Sequence, residues 1–106
     1  MSLTERLASS LLEREGVEER RSRFGHEVAF YRAGRELLHL HGERVADVRL
    51  GRDRIRERRA ELEQRPGVRL RASRSSDWVI VELQRDEDVD FVLGLVDDSL
   101  AGYPRL

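Results

Sequence analysis

Two β-prone stretches on either side of one tight turn constrain this chain more than any other feature. His26–Arg32 and Arg35–His41 flank Ala33-Gly34, and glycine supplies the positive φ that a two-residue hairpin turn requires. With Ala33 and Gly34 as the turn residues, Arg32 faces Arg35, so His26 is expected opposite His41 and Val28 opposite His39. A lone hairpin is marginal in water. The remaining residues must therefore supply more strands and a layer of helices.

They do so in a readable order. Ser2 and Glu5 have capping-box spacing, and Leu3, Leu7, Ala8, Leu11 and Leu12 trace one apolar face, predicting a helix over 3–15 that Gly16 ends. Val17–Arg23 reads as a short, charged edge strand, and Arg44–Leu50 as a further strand after the hairpin. Arg52–Gln64 reads as a charged helix with a thin apolar stripe of Ile55, Ala60 and Leu62. Pro66-Gly67 breaks it and opens a second hairpin, Val68–Ala72 and Trp78–Leu83, with Trp78 expected in the core. Asp86, Glu87 and Asp88 favour a helix start, and Val89, Val92, Leu93, Val96 and Leu100 give its apolar stripe. The class is α+β: a mainly antiparallel sheet of two hairpins packed by N- and C-terminal helices, with a charged helix between the hairpins. Residues 1–106 make one such domain, without an internal repeat or linker.

Composition limits the chemistry. Apolar and charged residues each make up 39% of the chain, which fits a folded domain with a heavily charged surface. There is no cysteine, so disulfides, thiolate ligands and thiol nucleophiles are excluded, and any metal must use His, Asp or Glu. No apolar run approaches the roughly 18 residues of a membrane span, and the N-terminal residues lack a signal-peptide pattern. A cytoplasmic protein without a membrane partner is expected.

The net charge of −1 hides an asymmetry. Residues 1–48 carry 8 Arg and 9 acids, residues 49–74 carry 10 Arg and 4 acids, and residues 75–106 carry 2 Arg and 8 acids. Either the basic segment meets the acidic one within the fold or a dimer, or it forms a face for an anionic partner. Asp97 and Asp98 are expected to pair with arginines of the basic segment. Arg52, Arg54, Arg56, Arg58 and Arg59 invite a nucleic-acid reading, but Asp53, Glu57, Glu61 and Glu63 interleave with them, the pattern of a solvated, ion-paired helix.

All three histidines fall on the first hairpin. His39 and His41, two apart on a strand, share a face, and the expected register adds His26, with Asp47 on the following strand. Such a group suits a divalent metal or a general base. The plainer reading places the histidines at a core margin with Val28, Phe30 and Leu37, their ring nitrogens satisfied by backbone or Asp47. A one-residue slip would move His26 to the other face. No phosphate loop, nucleophile elbow or His-Glu-x-x-His zinc motif is present, and no cofactor is expected.

The run Arg35-Glu36-Leu37-Leu38-His39-Leu40-His41-Gly42, followed by Asp47 and by Trp78-Val79, resembles a family of small bacterial domains that carries the name luciferase. The resemblance extends from about Phe24 to Tyr103. It implies a compact α+β domain and directs attention to Glu36, His39, His41, Gly42 and Asp47. It supplies no reaction: the familiar flavin-dependent light-emitting enzymes need a large barrel and a flavin phosphate site, so no light emission is expected. The layout is also similar to that of MmcQ/YjbR-type putative DNA-binding domains.

The expectation is a binding or interaction domain whose ligand residues are His26, His39, His41, Glu36 and Asp47. A small molecule is its expected ligand class, and homodimerisation through sheet or helix faces its expected protein contact. A small enzyme or metal-binding protein using His39, His41 and Asp47 is one alternative. A nucleic-acid-binding domain using the Arg52–Arg59 helix is the other.

Overall fold

The computed structural model describes residues 1–21 and 27–102. Its elements are α1 (Leu3–Leu12), β1 (Val17–Arg21), β2 (Val28–Arg32), β3 (Arg35–His41), β4 (Val45–Arg49), α2 (Arg52–Gln64), β5 (Val68–Leu70), β6 (Trp78–Glu82) and α3 (Asp86–Ala101). The six strands form one sheet in the order β1-β2-β3-β4-β6-β5, each neighbouring pair antiparallel. This is the expected α+β layout. The two hairpins join through β4, which lies between β3 and β6 and makes the sheet continuous.

Local chemistry explains the element ends. Ser2 Oγ accepts from the Glu5 amide while Glu5 Oε1 accepts from the Ser2 amide, so the first two free donors of α1 are satisfied reciprocally. The helix ends at Leu12, three residues short of the expected limit. Arg14 folds back so that Nη1 donates to the Ser10 carbonyl at 2.7 Å while Nε and Nη2 grip Asp97. The turn between β2 and β3 has Ala33 at φ 52° and Gly34 at φ 80°, the paired positive values of a type I′ hairpin.

One face of the sheet carries Phe30, Leu38, Ala46, Val48, Val79 and Val81, which form a single core with Leu7 and Leu11 of α1, Ile55 and Leu62 of α2, and Val89, Val92, Leu95 and Val96 of α3. The three helices thus share one side. Among the predicted apolar stripes, Leu12 and Ala60 are exposed. Leu95, absent from the predicted stripe, is fully buried.

The first hairpin departs from the expected register. Arg32 faces Arg35 and Tyr31 faces Glu36 as the turn dictates, but Phe30 then faces Leu38 and Ala29 faces His39. Leu37 is the extra residue of a β-bulge. His39 therefore lies opposite Ala29, not Val28. The bulge lets Leu37 and Leu38 both enter the core, where burial of two adjacent leucines outweighs regular pairing. Phe30 and Leu37 belong to the helix-covered core, so they do not share a margin with the histidines; Val28 is exposed. His26 lies outside the described residues, as do the last two residues of the predicted Val17–Arg23 strand.

Trp78 also departs from expectation. It pairs with Arg49 across β4 and β6 and stands on the face opposite the core, half-buried, with its ring 5.0 Å from that of His39. Its neighbour Val79 enters the core instead, because strand alternation allows only one of the two.

Candidate functional site

The helix-free face of the sheet holds an unusual concentration of buried polar groups. Cross-strand pairing places Ala29, His39, Asp47, Ile80 and Arg69 in one row over β2, β3, β4, β6 and β5. Within that row Asp47 is fully buried and His39 nearly so. His41, two residues along β3, shares the face and is half-exposed.

These three side chains converge. Nε2 of His39 lies 2.9 Å from Nε2 of His41, and Asp47 Oδ2 lies 3.3 Å from the former and 3.6 Å from the latter. Each ring also turns its other nitrogen to a carboxylate. His39 Nδ1 is 3.1 Å from Glu36 Oε1, and His41 Nδ1 is 3.1 Å from Glu27 Oε1. The Tyr31 hydroxyl in turn donates to Glu36 Oε2 at 3.4 Å, and Arg71 Nη2 donates to Asp47 Oδ2 at 2.7 Å. Asp47 Oδ1 and His39 Nδ1 are both buried without a hydrogen-bond partner, so the Glu36–His39 contact is one of charge.

The bulge at Leu37 assembles this shell. In unbroken alternation Glu36 would point away from His39; the extra residue returns it to the same face. Extending the shifted register from Ala29–His39 brings Glu27 opposite His41, the position the regular register assigned to His26. Of the sequence-derived ligand residues, the structure therefore brings together Glu36, His39, His41 and Asp47. Gly42, which the family resemblance also marked, sits at φ 62° in the turn after β3. Glu27 and Arg71 escaped the sequence reading. Only an allowance for a bulge would have pointed to Glu27, and nothing in the local pattern marks Arg71, which lies beyond β5.

The charges are mutually adjusted. The hydrogen bond that His39 donates to the Asp47 carboxylate raises the His39 pKa; burial works against this, while the charges of Asp47, Glu36 and Glu27 reinforce it. Burial pushes the Asp47 carboxyl up, but the His39 hydrogen bond and the Arg71 guanidinium together hold it below the ordinary aspartate value. With neutral imidazoles the surrounding side chains amount to three carboxylates and one guanidinium, a negative environment.

Donor atoms of Glu27, His39 and His41 lie within 4.8 Å of one another, close enough to hold a metal ion. The tighter triangle is His39 Nε2, His41 Nε2 and Asp47 Oδ2: its sides place a point about 2 Å from all three atoms, the length of a zinc–imidazole or zinc–carboxylate bond.

The predicted Arg-rich helix divides its side chains. Arg58 Nη1 reaches Asp98 at 2.6 Å, and the acidic last helix is further held by Arg65–Asp88, Arg6–Asp90 and Arg14–Asp97. Asp98 thus pairs with the basic segment as expected, whereas Asp97 pairs with Arg14 beyond α1. Among the described residues no helix is long and apolar enough to cross a membrane.

No curated protein and no solved structure matches the chain. A family profile described as the Luciferase domain matches residues 34–99, a stretch that contains Glu36, His39, His41, Asp47, Arg71 and Trp78 and leaves out Glu27. With well over half of its length matched, this chain belongs to the Luciferase domain family.

Proposed function

We propose that this domain binds one divalent transition-metal ion on the open face of its sheet, through Nε2 of His39, Nε2 of His41 and Oδ2 of Asp47. One observation carries the reading: both imidazoles direct Nε2 at a common point beside Asp47 while both Nδ1 atoms face carboxylates. The hydrogen bond between His41 Nδ1 and Glu27 fixes that ring's tautomer and leaves its Nε2 lone pair free, while the Glu36 carboxylate, 3.1 Å from His39 Nδ1, acts on the other ring through its charge and raises its basicity. An ordinary core histidine has no need of such backing on two adjacent rings.

Two imidazoles and one carboxylate suit zinc, iron(II), cobalt or nickel better than calcium or magnesium, which prefer all-oxygen shells. Three protein ligands leave a coordination position for water or a substrate donor, the arrangement of catalytic rather than structural zinc. Half-exposed His41 puts that position at the solvent side. Trp78, against His39, forms an apolar wall beside it.

Native mass spectrometry with elemental analysis, on protein purified without an affinity-column metal and then titrated with zinc, tests the proposal. One equivalent of metal is expected, and His41→Ala should abolish it while leaving the circular dichroism spectrum unchanged. Absence of binding at micromolar zinc, or binding that survives His41→Ala, would overturn it.

A further inference from the structure

We propose a second site, for a single phosphate group, in the cleft between α2 and the β5–β6 connection, where Arg52, Arg56, Arg59 and Arg74 line a cavity of about 190 Å³. It shares no residue with the histidine cluster and does not depend on the metal reading.

Helical spacing sorts the arginines of α2. Arg52, Arg56 and Arg59 follow one another at four- and three-residue intervals and so share a face. Arg58 is turned to Asp98 and Glu61, and the Arg54 guanidinium lies against Gly102 at the end of α3; both are used within the fold. The other three meet Arg74 from the β5–β6 connection. That connection is pinned to the start of α2, where Asp77 accepts from the Gly51 amide through its carbonyl and from the Arg52 amide through Oδ1, each at 3.0 Å. The cleft is therefore built by tertiary contacts and is not a chance meeting of two mobile segments.

Its charge is not balanced. Asp53 Oδ1 reaches Arg56 at 3.1 Å and Glu63 Oε1 reaches Arg59 at 3.3 Å. Among the described residues no carboxylate forms an ion pair with Arg52 or Arg74, and the buried Nε of Arg59 has no partner. Four guanidinium groups facing one small cavity against two carboxylates form an uncompensated positive site. Guanidinium forks match the tetrahedral oxygens of phosphate through paired, charge-assisted hydrogen bonds.

The size of the cavity and its surroundings select the ligand. About 190 Å³ receives one phosphate and a small attached group, and the exposed Asp53, Glu57 and Glu63 on α2 repel a polyanion laid along the helix. The class is inorganic phosphate or a small phosphate monoester, not a nucleic-acid backbone.

Isothermal titration of the full chain in low-salt buffer with inorganic phosphate, and separately with glycerol 3-phosphate, tests this and distinguishes the two sources. Saturable binding to one site is expected for at least one of them. Arg59→Gln and Arg74→Gln should each weaken it about tenfold or more, while Arg54→Gln and His41→Ala leave it unchanged. Arg74 stands on an exposed connection, so its variant remains informative even if Arg59→Gln disturbs folding. No saturable binding, insensitivity to Arg74→Gln, or loss of binding in His41→Ala would overturn the proposal. So would tight binding of a single-stranded oligonucleotide with a salt slope of several charges, which would mark a polyanion surface.

Discussion

The rings of His39 and His41 meet edge to face, centroids 4.6 Å apart and planes at 79°, so that their Nε2 atoms approach to 2.9 Å. Side chains two apart on a strand start from Cα positions nearly 7 Å apart, so the two imidazoles lean toward each other and toward Asp47. This proximity is a hydrogen bond between the two Nε2 atoms, and the tautomers decide which of them donates.

Glu36 faces His39 Nδ1 at 3.1 Å from a nearly fully buried position. Glu36→Gln keeps the shape but removes the charge that makes His39 a stronger donor. Zinc affinity, measured by competition with a chromophoric chelator, should fall about 10- to 100-fold. An unchanged affinity would show that Glu36 plays no part in tuning the site.

Arg71 donates to the oxygen of Asp47 assigned to the metal, at 2.7 Å. Its guanidinium and an incoming cation compete for that oxygen. Arg71→Met should tighten zinc binding several-fold, and because it takes a charged partner from buried Asp47 it should cost the metal-free protein about 1–3 kcal/mol. Weaker binding in this variant would make Arg71 a support for the site and not a competitor.

The metal-free protein should have a distinctive pH profile. The Asp47 hydrogen bond raises the His39 pKa above its ordinary 6.5, so this group's contribution to stability is fully present below about pH 6.5 and is lost as pH rises through the higher folded-state value. Asp47 titrates below its ordinary 3.8, where hydrogen bonding to His39 and the charge of Arg71 outweigh burial. Its contribution is present above pH 3.8 and lost as pH falls through the lower folded-state value. Urea denaturation of metal-free protein should therefore show a decline from pH 6 to pH 9 that His39→Gln flattens. A profile that rises over that range would contradict the assignment. Zinc binding should run the other way, strengthening as His39 deprotonates.

Asp88 holds the start of α3. Its Oδ2 accepts from the Gln84 and Arg85 amides at 2.9 and 3.0 Å, and its Oδ1 accepts from Arg65 at 3.2 Å. Burial would raise its pKa, but these bonds hold it below the ordinary value. Asp88→Ala leaves two amide donors and Arg65 without this partner and should cost about 2 kcal/mol in chemical denaturation. A loss under 0.5 kcal/mol would mean that water replaces the cap.

How far the chain could be read from its residues differs between parts. Strands β2 and β3, their turn at Ala33-Gly34 and the exact span of α2 followed from patterns a few residues long. Their causes are local: turn φ values, 3.6-residue apolar spacing and glycine breaks. The register of the first hairpin depended on whether Leu37 and Leu38 could both be buried, which is decided by helices distant in sequence. Trp78 stands opposite the core for a similar reason. Two-sided strand packing leaves its face to be settled by whether Val79 meets α3.

The residues alone placed His39 and His41 on one face of a strand, because alternation is a property of the extended backbone. They also restricted any metal site to nitrogen and oxygen donors, because the chain has no cysteine. What surrounds the histidines came from long-range pairing. β4 set Asp47 opposite His39, the bulge turned Glu36 and Glu27 toward the rings, and the chain after β5 delivered Arg71. A one-residue shift in strand pairing exchanges the two faces of a sheet. The membership of this site was therefore determined by the burial of the core on the opposite face, a free energy that no local stretch of sequence carries.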